Sequence, residues 1–339
     1  MESINEKGSI MISVAMATYN GENYISEQID SIINQTRKVD EIVIVDDHST
    51  DQTVPILLHL QKDHPEWNIK IHVNTKNVGY KTNFKNAIEL TSGDFIFLCD
   101  QDDIWHKDKV KKMMNILDSN SKILALTSSF DLIDGNGDPL TIEEKEGRSN
   151  HNLLLKKVEA DSITEITFEE FVYHNYFQGC SSVIRQELKE DFLNNFSTTL
   201  PHDWLIHLLA AKKKGMFFYN HPLFDYRIHE KNTIGMVGEI KPTLKQKWNL
   251  MNDLAIREQF AKERVESLSV VEQIDPDFMN QHPEYIKMKA FCEKHCQYLE
   301  NKQFFHLLWQ NFNPIYKQLK TRNARMYDLI FALNKANYN

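Results

Sequence analysis

The chain has 339 residues, 41% of them hydrophobic and 26% charged, a composition that suits one large folded domain or two ordinary ones. Its longest apolar runs are about five residues, far short of a membrane span, and no signal-peptide pattern opens it. A net charge of −9 excludes a general nucleic-acid binder, and four scattered cysteines offer no disulfide framework, so a reducing cytoplasm is the expected compartment.

The first 120 residues alternate strand and helix patterns. Strands are expected at 10–17, 41–46, 69–74 and 94–99, with helices at 22–35, about 51–62 and about 82–90 between them. Near-continuous apolar strands joined by helices predict a mostly parallel α/β sheet covered on both faces, whose ligands gather at the strands' C-terminal ends. Three chemically unusual segments fall at such ends: TYNGE, DDHSTD and DQDD.

Further along, 124–134 reads as a strand, 143–162 as an excursion, 178–184 as a strand, 201–215 as a helix ended by Gly215, and 216–219 with 223–229 as closing strands. From about Lys241 the pattern is helical, which puts a boundary near 238: an α/β region over 1–238, with halves at about 10–120 and 121–238, and a helical domain over 239–339. No G-x-G-x-x-G follows the first strand and no Walker motif occurs, so dinucleotide and P-loop chemistry are not indicated.

The segment FIFLCDQDDIW poses the sharpest question, because Asp100, Asp102 and Asp103 stand within four positions at the end of a buried strand. Like charges that close repel, and desolvation raises the penalty. A solvated acidic turn, with Asp103 helping to start a helix near His106, is one resolution. A divalent cation carrying an anionic ligand is the other.

ISVAMATYNGENYISEQIDSI, IVIVDDHSTDQT, NVGYKTNF, LCDQDDIW, PHDW and YRIHEKN occur in this order over residues 10–235. Together they resemble the family 2 glycosyltransferases of the GT-A fold, most closely the bacterial rhamnosyltransferase-like branch that builds surface polysaccharides. The resemblance implies a Rossmann-like GT-A catalytic domain and an inverting, metal-dependent transfer from a dTDP- or UDP-sugar, dTDP-L-rhamnose foremost. The implied acceptor is a saccharide, lipid-linked glycan or glycosylated protein. A UDP-hexose or UDP-N-acetylhexosamine donor and a catalytically inactive sugar-nucleotide-binding protein stand as alternatives.

Carried onto this sequence, the resemblance puts Thr18, Tyr19 and Glu22 against the nucleoside and Asp47 on the N3–H of uracil or thymine. Asn77, Lys81, Asp100, Gln101 and Arg227 fall along the nucleotide. Asp102, with His229, would hold Mn²⁺ or Mg²⁺, and the carboxylate of Asp203 would be the general base. Trp105, Gln178 and Trp204 would line the sugar and acceptor pocket. Each has a plainer reading: Asp47 and Ser49 as turn-formers, Lys81 as a surface lysine, Asp203 as a helix cap and Trp105 as a core anchor.

From residue 301 onward six Lys/Arg face one acid, Asp328, while residues 1–300 carry −14. Residues 304–333 place apolar side chains at three- and four-residue spacing with basic residues between them, and Pro314 interrupts the pattern. Packing against the catalytic domain or a second subunit is one expectation for this segment. Peripheral contact with the inner face of the plasma membrane is the other.

Overall fold

A computed structural model describes residues 10–229 and 252–334; the boundary expected near 238, the start of the helical pattern at 241 and the end of YRIHEKN lie outside them. The chain divides into two compact units, Met1–Met236 and Val237–Asn339.

The first unit is a large, mostly parallel sheet with helices against it. Its opening strands are β1 (Ile12–Thr18), β2 (Glu41–Asp46), β3 (Ile69–Val73) and β4 (Phe95–Cys99). Helices α1 (Ile25–Ile33), α2 (Thr53–Asp63) and α3 (Tyr80–Leu90) connect them. Every residue of β2 and of β4 is buried, as expected of parallel strands covered on both faces. The order β3-β2-β1-β4 reverses direction at β1, so the crevice between the ends of β1 and β4 is a topological switch point.

The second half of the sheet is mixed. β4 pairs antiparallel with β9 (Ser182–Arg185), which pairs antiparallel with β6 (Ala125–Asp134), and β6 runs parallel to β10 (Met216–Ile228). The short β5 (Ile104–Trp105) closes that edge against β10, while β7 (Pro139–Leu140) and β8 (Ile163–Glu165) add to β6 and β10.

Three local expectations change. The two closing strands are one, because β10 absorbs Asn220-His221-Pro222 in register shifts instead of ending there. Residues 178–184 are not all strand: Gly179–Ser181 form a 3₁₀ turn, and only then does β9 begin. The helix after DQDD starts at Lys109, as α4 (Lys109–Ser119), because Ile104 and Trp105 are taken by pairing with β10.

Among the described residues, the second unit consists of helices at Leu254–Ile274, Pro276–Gln281, Pro283–Glu300, Phe304–Gln310, Pro314–Leu319 and Arg322–Leu333. Pro314 does break the 304–333 pattern, sitting at a helix start where its missing N–H costs nothing. Cys292 and Cys296 are buried packing residues, and no helix of the described chain is long and apolar enough to cross a membrane.

Candidate active site

The site is built on the loops that leave β1, β2 and β4. Gln101 locks the first loop to the third: its Oε1 accepts from Tyr19 N–H at 2.8 Å, and its Nε2 donates to the Tyr19 carbonyl at 3.0 Å. Gly21 makes room for this strut, since a Cβ there would lie 2.2 Å from Gln101 Oε1. Gln101 therefore serves as a loop clamp, and its amide is not turned toward a nucleotide as expected. Tyr19 itself is 46% exposed, an aromatic face left open at the crevice.

Thr18 donates to Asp46 Oδ2, which also accepts from the Ser49 hydroxyl, and Glu22 accepts from Gln52 N–H. Thr18 and Glu22 thus fix the loop after β2. Asp47 is buried and organises the next turn: Oδ1 accepts from Asn74 Nδ2 and Val78 N–H, and Oδ2 accepts from Gly79 N–H at 2.9 Å. One lone pair on Oδ2 is left by these bonds. Gly79, at φ +83°, takes a backbone conformation that other residues rarely adopt, and Asn77 Oδ1 accepts from its N–H.

Lys81 corrects an expectation. Its ammonium donates to the carbonyls of Thr198 and Thr199, so it ties α3 to the loop before PHDW.

The DQDD carboxylates occupy three different environments. Asp103 is 1% exposed, its Oδ1 accepts weakly from Arg227 N–H at 3.3 Å, and its Oδ2 has no hydrogen-bond partner among the described residues. Burial and the neighbouring Asp102 push its pKa well up, which removes the helix-starting role. Asp100, half-buried, is raised to about 7 by burial and by the Asp102 charge. Asp102 accepts from His229 Nε2 at 2.9 Å, bringing together the two residues expected to bind metal.

Beneath this group lies Lys109, fully buried, its ammonium donating to the Cys180 carbonyl at 2.8 Å and sitting 4.3 Å from the ring centroids of both Trp105 and Phe224. Burial lowers its pKa to about 8, against the opposing pull of nearby thiols and carboxyls. Trp105 is therefore a core residue, 2% exposed and packed on Phe97, and it does not line a pocket. Its indole shields the lysine.

Arg227 is also buried. It donates to Glu27 at 2.6 Å and to the Asp102 carbonyl at 2.8 Å, and stacks over Tyr24, whose ring lies 4.8 Å from that of His229. Arg227 holds the DQDD loop; it is not a phosphate arm.

The Gly179–Ser181 turn joins the two halves of the site. Cys180 Sγ lies within 4.8 Å of ligand atoms of Asp100 and Asp103, and a Cβ on Gly179 would meet His202 Nε2 at 2.7 Å and Asp203 Cβ at 3.4 Å. His202 is buried and stacked on Phe84 at 3.8 Å, with its pKa lowered to about 3 by burial, so it is a neutral wedge.

Asp203 is half-buried in the first turn of the helix His202–Lys212, but the cap position is Pro201. Its Oδ1 accepts from Trp204 N–H at 2.8 Å. Burial raises its pKa to about 6, opposed by bonds from Trp204, Asn175 and Gly179. The Tyr80 hydroxyl is driven to about 12 by burial and then by the Asp203 charge. Trp204 Nε1 donates to the Phe171 carbonyl, and Gln178 keeps a buried Oε1 with no partner among the described residues.

Sequence reasoning missed Lys109, Glu27, Tyr24, Asn175 and Gly179. Only Gly179 carried a local signal, a glycine ahead of a strand, and it was absorbed into the strand.

A family model described as "Glycosyl transferase family 2" matches residues 13–188. The chain is 33% identical over 238 residues to dTDP-rhamnosyl transferase RfbG of Shigella flexneri, covering 65% of this chain and 73% of that protein. In three dimensions it is similar to S. aureus TarS 1–349 in complex with UDP-GlcNAc (TM-score 0.57, 18% identity, 96% of this chain and 80% of that chain). It is also similar to the mannosyltransferase PcManGT of Pyrobaculum calidifontis in complex with GDP-Man and Mn²⁺ (TM-score 0.51, 16% identity, 96% and 88%).

Proposed function

The chain belongs to glycosyl transferase family 2, and from that premise we propose that it is an inverting, divalent-metal-dependent transferase of a sugar from a dTDP- or UDP-donor, dTDP-L-rhamnose foremost, to a saccharide acceptor. The observation that carries this reading is the pairing of Asp102 with His229 beside Asp100, close to an unpartnered buried oxygen of Asp103. The dTDP-rhamnose preference rests on the likeness to RfbG.

The donor set fits a hard divalent cation: carboxylate oxygens with one imidazole, at the end of a strand that opens toward a crevice. Asp102 and His229 would hold it, with Asp100 assisting. When bound, Mn²⁺ or Mg²⁺ supplies Lewis-acid stabilisation of the negative charge on the departing nucleoside diphosphate.

The remaining chemistry belongs to the chain. Tyr19 packs on the base, and the free lone pair of Asp47 Oδ2 accepts N3–H, which favours uracil or thymine over cytosine. Asn77 shapes the turn that holds Asp47. Asp203 accepts the proton of the acceptor hydroxyl while that oxygen bonds to the anomeric carbon and the bond to the diphosphate breaks. A carboxylate with a pKa near 6 is ionised at neutral pH and still basic enough to take that proton. Gln178 and Trp204 line the sugar side. On this reading the enzyme works in the cytoplasm, in surface-glycan assembly.

The test is nucleotide release from dTDP-rhamnose, UDP-glucose, UDP-galactose and UDP-GlcNAc. Release from dTDP-rhamnose alone is expected. Release from UDP-GlcNAc alone would move the chain to the alternative donor, and tight nucleotide binding with silence across the panel and every acceptor would mark an inactive binding protein.

A further inference from the structure

The second unit carries a surface to which none of the site residues described above belongs. Phe305, Trp309 and Phe312 are 79%, 77% and 71% exposed, and the rings of Trp309 and Phe312 lie 5.8 Å apart. They rim a groove of about 620 Å³ that Phe291, Tyr298 and Lys294 also line, with no carboxylate in its walls. They are the most exposed large hydrophobic side chains among the described residues, Leu333 following at 62%, and their clustering marks a contact surface.

The charge around them decides the occupant. Asp328 is the sole acid after residue 300, and it is fully buried, accepting from Tyr316 and from Lys320 at 2.6 Å. Residues 301–334 therefore present exposed Lys317 and Arg322 and no exposed acid; the nearest exposed acids in sequence, Glu293 and Glu300, lie on the preceding helix. Met1–Met236 holds 24 Lys/Arg against 36 Asp/Glu, whereas Val237–Asn339 holds 15 against 12. A second copy docked symmetrically on this patch would set its cations against their own equivalents. An anionic bilayer surface offers what the patch lacks: negative headgroups for the lysines and an interfacial zone that takes up Trp and Phe.

We propose that the Phe305–Trp309–Phe312 surface docks this protein peripherally on an anionic phospholipid membrane, the aromatics entering the headgroup region and Lys294, Lys317 and Arg322 meeting the phosphates. No covalent step is involved, and the proposal stands whichever donor the enzyme uses.

The experiment is sedimentation of the full chain with phosphatidylcholine vesicles, with or without phosphatidylglycerol, at low and high salt. Two variants accompany it: F305A/W309A/F312A and K317E/R322E. Binding to the anionic vesicles is expected, weakened at high salt. The aromatic variant should lose about tenfold or more in partition, and the charge variant should lose the preference for anionic lipid. Unchanged thermal melting and nucleotide release in both variants exclude misfolding. Equal sedimentation of wild type and aromatic variant, or none by wild type, overturns the proposal. A concentration-dependent dimer that the aromatic variant dissolves would also overturn it, assigning the surface to a second copy.

Discussion

The DQDD crevice and the Phe305–Trp309–Phe312 surface depart from ordinary protein chemistry in opposite directions. The first gathers carboxylates where burial penalises them: Asp103 is 1% exposed and Asp100 is raised to about 7. The second exposes aromatic rings that hydrophobic burial would remove from water, Phe305 at 79%. A chain tolerates either state when something outside it completes the arrangement. The crevice is backed by an internal cation, Lys109, and its proposed occupant is a metal with an anion; the aromatic groove has Lys294 and no carboxylate in its wall, and its proposed occupant is an anionic layer.

The contrast can be broken at several points. The largest effect is expected for Asp203→Asn, which should lower kcat by about 10²- to 10⁴-fold while nucleotide affinity stays unchanged. Steady-state kinetics beside a nucleotide titration checks this, and loss of binding with activity would instead make Asp203 part of the donor site. Lys109→Met should destabilise the first unit by about 3 kcal/mol, since it removes the buried cation beside the Asp100 and Asp103 carboxyls. Denaturant unfolding measures it, and a neutral result would show that the carboxylates need no internal counter-charge.

A smaller effect is set by pH. Asp203 acts as a base only when ionised, and its pKa is raised to about 6. Acceptor-dependent kcat/KM should therefore rise about tenfold per unit up to that pH and level off above it. A profile flat from pH 5 to 8 (roughly the window in which the group titrates) would contradict the base assignment. Least costly is Gly179→Ala, whose new methyl would press on His202, itself stacked on Phe84. About 1–3 kcal/mol of stability should be lost by overpacking, read as a lower melting temperature.

Much of this was legible in the sequence because the signals were local. Apolar runs with helical connections give β1 to β4, and the residue types TYNGE, DDHSTD and DQDD announce the strand ends. Asp102 and His229, 127 positions apart, did meet at 2.9 Å. What was not legible depends on long-range burial. Arg227 reads as a phosphate arm until Glu27, 200 positions away, is found beside it. Lys109 reads as a surface lysine of an amphipathic helix until Trp105 and Phe224 enclose it. Trp105 itself shows the limit plainly: an aromatic beside acidic residues fits a sugar pocket and a core equally, and only pairing of β5 with β10 turns it inward. Pro222 would ordinarily interrupt a ladder, yet a bulge accommodates it within β10.

The crowded carboxylates are proposed to hold a cation and, through it, a nucleoside diphosphate. The most direct measurement is calorimetric titration of UDP and dTDP into the protein with Mn²⁺, with EDTA, and into Asp102→Asn with Mn²⁺. Mn²⁺ should tighten nucleotide binding at least about tenfold, and Asp102→Asn should remove the gain. Equal affinity in Mn²⁺ and EDTA would contradict it.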